Sequence, residues 1–204
     1  MDTTRVIAKA PEAFYRTPAV EEGPLAAAMY GIVVYTLGQL ISNVLVFGGF
    51  AVASLIAGVA LDEPAVGGVF AGYSLCWTIL VIPLTLGQAP LYGLFGILGG
   101  GGLTHLSLRA LKSARVPFEG TLRAVSYANA PYILYAIPCV GPFIGWFWML
   151  YLEVVGVREA HSVTTDRAAV AVLGWRALLI ATVITLYITL GVAAFLLESG
   201  RGLD

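Results

Sequence analysis

The chain has 204 residues, of which 59% are hydrophobic, 11 are Lys or Arg and 12 are Asp or Glu. This composition leaves room for one helical bundle and excludes a sizeable soluble domain. The formal net charge of −1 provides no basic face, which excludes a nucleic-acid partner held by electrostatic attraction.

The charges are unevenly distributed along the chain. Four stretches contain no Asp, Glu, Lys or Arg: residues 23–61, 64–108, 124–152 and 177–197. About 20 helical residues cross a hydrocarbon core about 30 Å thick, and each stretch meets or exceeds that length. The sequence therefore predicts an all-α, polytopic transmembrane bundle.

The first 24 residues predict a polar N-terminal arm. They carry Arg5, Lys9 and Arg16 together with four acidic residues, and three prolines interrupt any long helix. The apolar run that follows is too long for a secretory signal peptide. We expect a cytoplasmic arm over residues 1–24, a transmembrane domain over residues 25–197, and a short tail over residues 198–204.

The first span is predicted within Leu25 to Leu61. Thr36, Gln39 and Asn43 follow at i, i+3 and i+7, so they share one helix face. Hydrogen bonding between helices is the favoured interpretation of this polar face, and a polar path for a small solute is the alternative.

The second span, within Val69 to Leu111, is long for a single crossing. Pro83, Pro90 and the glycines at 87 and 99–102 offer places to break it, so we expect a kinked or re-entrant helix. A six-span alternative splits this segment at residues 88–90 and moves the N-terminal arm outside.

Three further spans follow, predicted at Thr121 to Ile137, Pro142 to Val157 and Ala177 to Leu197. The basic residues cluster in the arm, at 109–123 and at 158–176, and such clusters face the cytoplasm. An even number of crossings must separate these clusters. Five spans result, with the N-terminus cytoplasmic and the C-terminus extracytoplasmic.

Pairs of glycines four residues apart let helix backbones approach closely in a membrane. Gly96 with Gly100, and Gly141 with Gly145, are predicted to pack helices together. A phosphate-binding loop at residues 99–102 is disfavoured, because no Lys-Ser/Thr pair follows the glycines.

One charge, Glu153, lies inside a predicted span, where an acid needs a partner. We predict an ion-pair cluster, or alternatively a proton or substrate site, at the inner side of the bundle: His105, Arg109, Arg123, Glu153, Arg158, Glu159 and His161. The expected partner of Glu153 is Arg123, His105 or Arg109. No metal site is predicted, because Glu159 and His161 leave opposite sides of a helix. No catalytic residue and no cofactor is predicted.

Four segments resemble the Yip1-domain membrane proteins: residues 105–109 (HLSLR), 118–131 (FEGTLRAVSYANAP), 137–141 (IPCVG) and 156–161 (GVREAH). The motif positions are Tyr127, Asn129, Pro131, Pro138 and Gly141. The resemblance implies five spans and a cytoplasmic N-terminus. Eukaryotic members organise vesicle traffic and contact small GTPases, whereas bacterial members mostly have no assigned activity. The acidic element expected before the first span is reduced here to Glu22-Gly23-Pro24, which argues against GTPase binding.

The sequence predicts a non-enzymatic, Yip1-type protein that organises membranes or binds other proteins, as a component of a trafficking or assembly scaffold. Its expected partners are membrane lipids, other membrane proteins and further copies of itself. The alternative is a small transporter, channel or lipid-translocating protein that uses a polar intramembrane site around Glu153. The preference for Arg over Lys and the Ala/Gly-rich helices favour a bacterial inner membrane over a eukaryotic endomembrane.

Overall fold

A computed structural model describes residues 3–16, 23–138 and 140–201 of the chain. Within these ranges every regular element is helical and none is a strand. Cys139, the acidic residue Glu22 and the final three residues of the predicted tail lie outside the described residues.

The elements follow one another with short connections. They are α1 (Thr3–Lys9), α2 (Pro11–Arg16), α3 (Pro24–Ala60), α4 (Pro64–Ala110), α5 (Phe118–Ala128), a 3₁₀ segment (Ala130–Ala136), α6 (Gly141–His161) and α7 (Thr165–Arg201).

Three of the described helices are long and apolar enough to cross a membrane: α3, α4 and α7 over Thr165–Val192. Their apolar side chains are largely exposed, as is typical of helices that face lipid. The predicted all-helical, multi-pass membrane architecture is confirmed. The number of spans and the kinked second span remain predictions.

Helices α3 and α4 form an antiparallel hairpin that packs through small residues. A Cβ atom added at Gly58 would lie 2.6 Å from the Cα atom of Gly67, so the two backbones touch near the turn that joins the two helices. The Asn43 amide donates to the Thr85 hydroxyl at 2.9 Å, which joins the same two helices. Helix α4 is continuous through Pro83 and Pro90.

Three helices end in the same way, with a residue in the left-handed backbone region: Asp62, Lys112 and Ser162. In each case the next amide donates to the carbonyl five residues earlier, as from Ser113 to Leu108 at 2.8 Å. This is the Schellman hydrogen bond, which satisfies a terminal carbonyl. It turns the chain sharply after α3, α4 and α6.

The third span is not the single helix that the sequence predicted over Thr121 to Ile137. The α-helix ends at Ala128, and a 3₁₀ segment continues from Ala130. Pro131 has no N–H group to donate to the carbonyl four residues earlier, which explains the change at this point. Tyr132 instead donates to the Asn129 carbonyl at 3.0 Å.

The N-terminal arm forms two short helices that dock on the bundle, which the sequence did not predict. Ile7 of α1 has no exposed surface and packs in a core with Tyr127, Leu152 and their neighbours. Phe14 of α2 meets the Tyr127 ring edge to face, with centroids 5.1 Å apart. Together α1, α2, α5, α6 and the start of α7 form a compact module beside the α3–α4 hairpin.

Candidate functional site

Glu153 forms an ion pair with Arg176, which corrects the predicted partner. An Arg176 Nη2 atom lies 2.6 Å from Glu153 Oε2, whereas the sequence predicted Arg123, His105 or Arg109. The Glu153 side chain is 1% exposed and the Arg176 side chain 18%. The partner lies on α7, the last helix of the chain, and its guanidinium enters the bundle beside α6.

Two further side chains complete this buried polar group. The Thr104 hydroxyl of α4 donates to Glu153 Oε1 at 3.2 Å, and it accepts from Trp175 Nε1 at 3.1 Å. The Arg176 guanidinium also stacks over the Trp175 ring, 4.4 Å from its centroid. Both carboxylate oxygens therefore accept hydrogen bonds, and three helices are joined at one point.

A cavity of about 270 Å³ adjoins this ion pair. Its walls come from α3 to α7, including the 3₁₀ segment. One wall consists of glycines on one face of α4, at positions 93, 96 and 100, and the polar lining includes Asn129 and Tyr132. A charged pair beside a cavity inside a membrane protein is a candidate functional site.

Gly96 and Gly100 therefore do not form the close helix contact that the sequence predicted. A Cβ atom at Gly96 would have no neighbour within 4 Å, and one at Gly100 would make only an ordinary contact with Trp175 at 3.8 Å. Gly141 and Gly145 do lie against another segment: their Cβ positions fall on the Leu134 and Pro131 carbonyls of the 3₁₀ segment.

His105 and His161 are joined through Thr121. The Thr121 hydroxyl lies 2.8 Å from His105 Nδ1 and 2.8 Å from His161 Nε2. The backbone amides of Arg115 and Val116 donate to His161 Nδ1 at 3.1 and 3.4 Å. Nδ1 of His161 is therefore the acceptor, and Nε2 carries the proton that it donates to Thr121.

This arrangement keeps the His161 ring neutral. His161 has no exposed surface and lies beyond Val157, the predicted inner end of the fourth span. Burial, and to a lesser extent the neighbouring His105, lower the pKa of His161 from 6.5 to about 4. Protonation of Nδ1 would direct an N–H group at two backbone N–H groups, so the ring acts as a structural clamp between α6 and the α4–α5 connection.

Glu159 and Arg158 tie the N-terminal arm to α6. Arg16 Nε lies 2.7 Å from Glu159 Oε2, and Arg158 bridges Glu159 and Glu12 at 2.6 and 2.7 Å. The hydrogen bond from Arg16, followed by that from Arg158, lowers the pKa of the Glu159 carboxyl. This network lies at the surface of the module, so each pair contributes little to stability alone.

The predicted single cluster is thus three separate groups. Arg109 is exposed at the end of α4, about one helical turn after His105. Arg123 is half-buried on α5, and its Nε atom has no hydrogen-bond partner in the described part of the chain. Among the described residues, no three His, Cys, Asp or Glu side chains come close enough together to hold a metal ion.

Four of the five family-motif positions meet where α5, the 3₁₀ segment and α6 join. Tyr127, Asn129 and Pro131 are buried there, and Gly141 lies against the Leu134 carbonyl. Pro138 is exposed in the turn, where its carbonyl accepts from the Val140 amide at 2.7 Å. The motif therefore builds a joint in the fold.

The family model described as the Yip1 domain matches residues 10–193. The chain belongs to the Yip1 domain family. No curated protein and no solved structure gave a match.

The Yip1 match covers every residue that lines the cavity, as well as α2 of the arm. Several residues of the site were not predicted from the sequence, namely Thr104, Thr121, Trp175 and Arg176. Arg176 gave one usable signal, because an Arg directly before an apolar span is positioned to reach back into the bundle. Thr104 and Thr121 gave none, since a threonine in an apolar helix commonly bonds only its own backbone.

Proposed function

We propose that this chain is a non-enzymatic membrane-organising protein, which acts as a scaffold for other membrane proteins and for further copies of itself. The Yip1 family is generally non-enzymatic. The side chains most suited to acid-base chemistry, His161, Glu159 and Glu153, are each engaged in contacts that join helices. These contacts support a structural use of the charges.

The observation that carries the proposal is the length of the apolar helices. At 1.5 Å per residue, the 37 residues of α3 measure about 55 Å and the 47 residues of α4 about 70 Å. Helices of these lengths fit within a hydrocarbon core about 30 Å thick only if they tilt by more than about 50° from the membrane normal. The usual range of tilt extends to about 40°. The mismatch is relieved if the bilayer thickens locally around the helices, or if a partner helix packs against their apolar ends. Either response changes the arrangement of the surrounding lipids or proteins, which is the proposed membrane-organising role.

Self-association is the most direct test of the scaffold role. Two differently tagged copies would be expressed together, extracted gently into lipid nanodiscs and captured through one tag. We expect the second tag, or a defined companion protein, to be retained, while an unrelated multi-pass protein expressed alongside is not. Strictly monomeric protein that retains no partner would contradict the proposal.

A second candidate function is translocation of a small solute or lipid, which the cavity beside Glu153 and Arg176 favours. Reconstituted vesicles would measure the flux of protons, ions and labelled lipid. No flux, or flux that is unchanged in Glu153→Gln, would count against this function.

A further inference from the structure

The cavity beside the ion pair opens sideways, toward the surroundings of the bundle. Gly96 is exposed although it lines the cavity, and Leu103, on the same α4 wall, is 42% exposed. Glu153, which also lines the cavity, is 1% exposed. In a bilayer, the medium at such an opening consists of lipid chains.

Apolar atoms make up most of the walls. Ile97, Leu103, Val125 and Met149 lie beside the α4 glycines, and a Cβ atom added at Gly96 would have no neighbour within 4 Å. At about 270 Å³ the cavity has room for part of one lipid, while the rest of that lipid stays in the bilayer.

The polar end of the cavity suits an anion. The Arg176 guanidinium has five N–H groups, of which one donates to the Val172 carbonyl and one to Glu153. Three N–H groups remain, in the planar arrangement that matches phosphate oxygens. Arg176, whose side chain is 18% exposed, is more accessible to a ligand than the Glu153 carboxylate, which is 1% exposed, and this favours an anion over an amine or a metal cation.

The depth of Arg176 agrees with a lipid phosphate. It directly precedes the fifth predicted span, which starts at Ala177, and so lies at the predicted inner edge of the hydrocarbon core. Trp175 lies beside it, and tryptophan is enriched at the level of the headgroups. Phosphates of the inner leaflet occupy the same level.

We propose that this cavity binds one phospholipid of the inner leaflet, with its phosphate on Arg176 and one acyl chain along the glycine wall of α4. The proposal shares its cavity with the translocation candidate of the previous section, but it requires binding only. A scaffold that holds lipid without moving it satisfies the proposal.

The test uses the full chain in vesicles that contain a phospholipid with a photoreactive group on one acyl chain. After illumination and digestion, mass spectrometry locates the labelled peptides. We expect labelling of the α4 segment 93–103 and of α7 near Trp175. If these segments are unlabelled while other lipid-facing segments are labelled, the proposal is wrong.

A pair of glycine variants isolates the cavity. Gly96→Leu places a side chain into the cavity without a clash, because a Cβ atom there has no neighbour within 4 Å. Gly99→Leu is the matched control, since its Cβ atom is equally free and Gly99 does not line the cavity. We expect about tenfold less labelling of segment 93–103 in Gly96→Leu and an unchanged level in Gly99→Leu. Equal labelling in the two variants would overturn the assignment.

The headgroup is tested separately with a diacylglycerol that carries the same photoreactive chain. Loss of the phosphate contact should reduce labelling of the site by about tenfold. In the double variant Glu153→Gln with Arg176→Gln, which removes both charges together, the preference for the phospholipid should disappear. Equal labelling by both lipids in the unaltered protein, or displacement of the phospholipid by excess inorganic phosphate, would overturn the lipid assignment.

Binding and transport remain distinguishable in these experiments. Site-specific labelling without lipid flux would support the lipid site and reject translocation. Flux without labelling of segment 93–103 would reject the lipid site and leave translocation standing.

Discussion

Removal of the Arg176 charge is the most informative single perturbation of the bundle. In Arg176→Gln, the Glu153 carboxylate, which is 1% exposed, loses its 2.6 Å partner and retains only the Thr104 hydroxyl. Breaking a buried ion pair from one side typically costs about 3 to 5 kcal/mol, because the remaining charge stays desolvated. We expect a loss of that size in the free energy of unfolding.

The reverse substitution should be milder. In Glu153→Gln, the amide oxygen still accepts from Thr104, and Arg176, with an 18% exposed side chain, can reach lipid phosphates. We expect a cost of about 1 to 2 kcal/mol. The double variant should be less destabilised than the sum of the single ones by about 2 to 3 kcal/mol, the coupling energy of the pair.

Unfolding by a denaturing detergent, followed by circular dichroism in mixed micelles, would measure these differences. Arg109→Gln is the matched control, because Arg109 is exposed, and it should change stability by less than about 0.5 kcal/mol. The reasoning is refuted if Arg176→Gln costs no more than Arg109→Gln, or if Glu153→Gln is the more damaging single change.

Three further predictions concern other parts of the bundle. Because the folded-state pKa of His161 is lowered from 6.5 to about 4, the free energy of unfolding should be greatest above pH 6.5 and should fall as the pH drops toward 4. His161→Gln should flatten this slope when unfolding is measured as a function of pH. Gly38→Ala should lower the free energy of unfolding by about 1 to 3 kcal/mol, since its Cβ atom would meet a carbonyl of the 3₁₀ segment. Gly48→Ala, whose Cβ atom has no neighbour within 4 Å, should not destabilise the protein. Equal melting temperatures of the two variants would contradict this prediction. Ile7→Ala should lower the free energy of unfolding by about 2 to 5 kcal/mol and expose the arm to limited proteolysis. Ile79→Ala is the control, because Ile79 is 71% exposed, and it should have neither effect. An arm that stays protected in Ile7→Ala would argue against the docking of α1.

The class of fold was predictable because lipid imposes a simple rule on sequence. Charge-free runs long enough to cross a bilayer must satisfy their backbones as helices, so the positions of α3, α4 and α7 follow from composition. The rule that close helix approach needs small residues was less reliable, because Gly96 and Gly100 fit it and yet line a cavity.

The details that the sequence did not predict depend on tertiary contacts. The 3₁₀ segment after Asn129 was missed although Pro131 marks it, because a proline within an apolar run is also compatible with a kinked membrane helix. The docking of Ile7 was hidden in a short, charged segment that gives no helical period. The partner of Glu153 was misassigned because sequence distance does not tell which helix lies beside which.

Reporter fusions at five positions test the membrane arrangement on which the lipid site and the inner position of the compact module depend. Fusions after Glu63, Lys112, Val140, Asp166 and Leu197 should report outside, inside, outside, inside and outside, with an N-terminal reporter inside. An N-terminal reporter outside, or reporters after Lys112 and Asp166 on opposite sides, would contradict the five-span arrangement and remove Arg176 from the inner phosphate level.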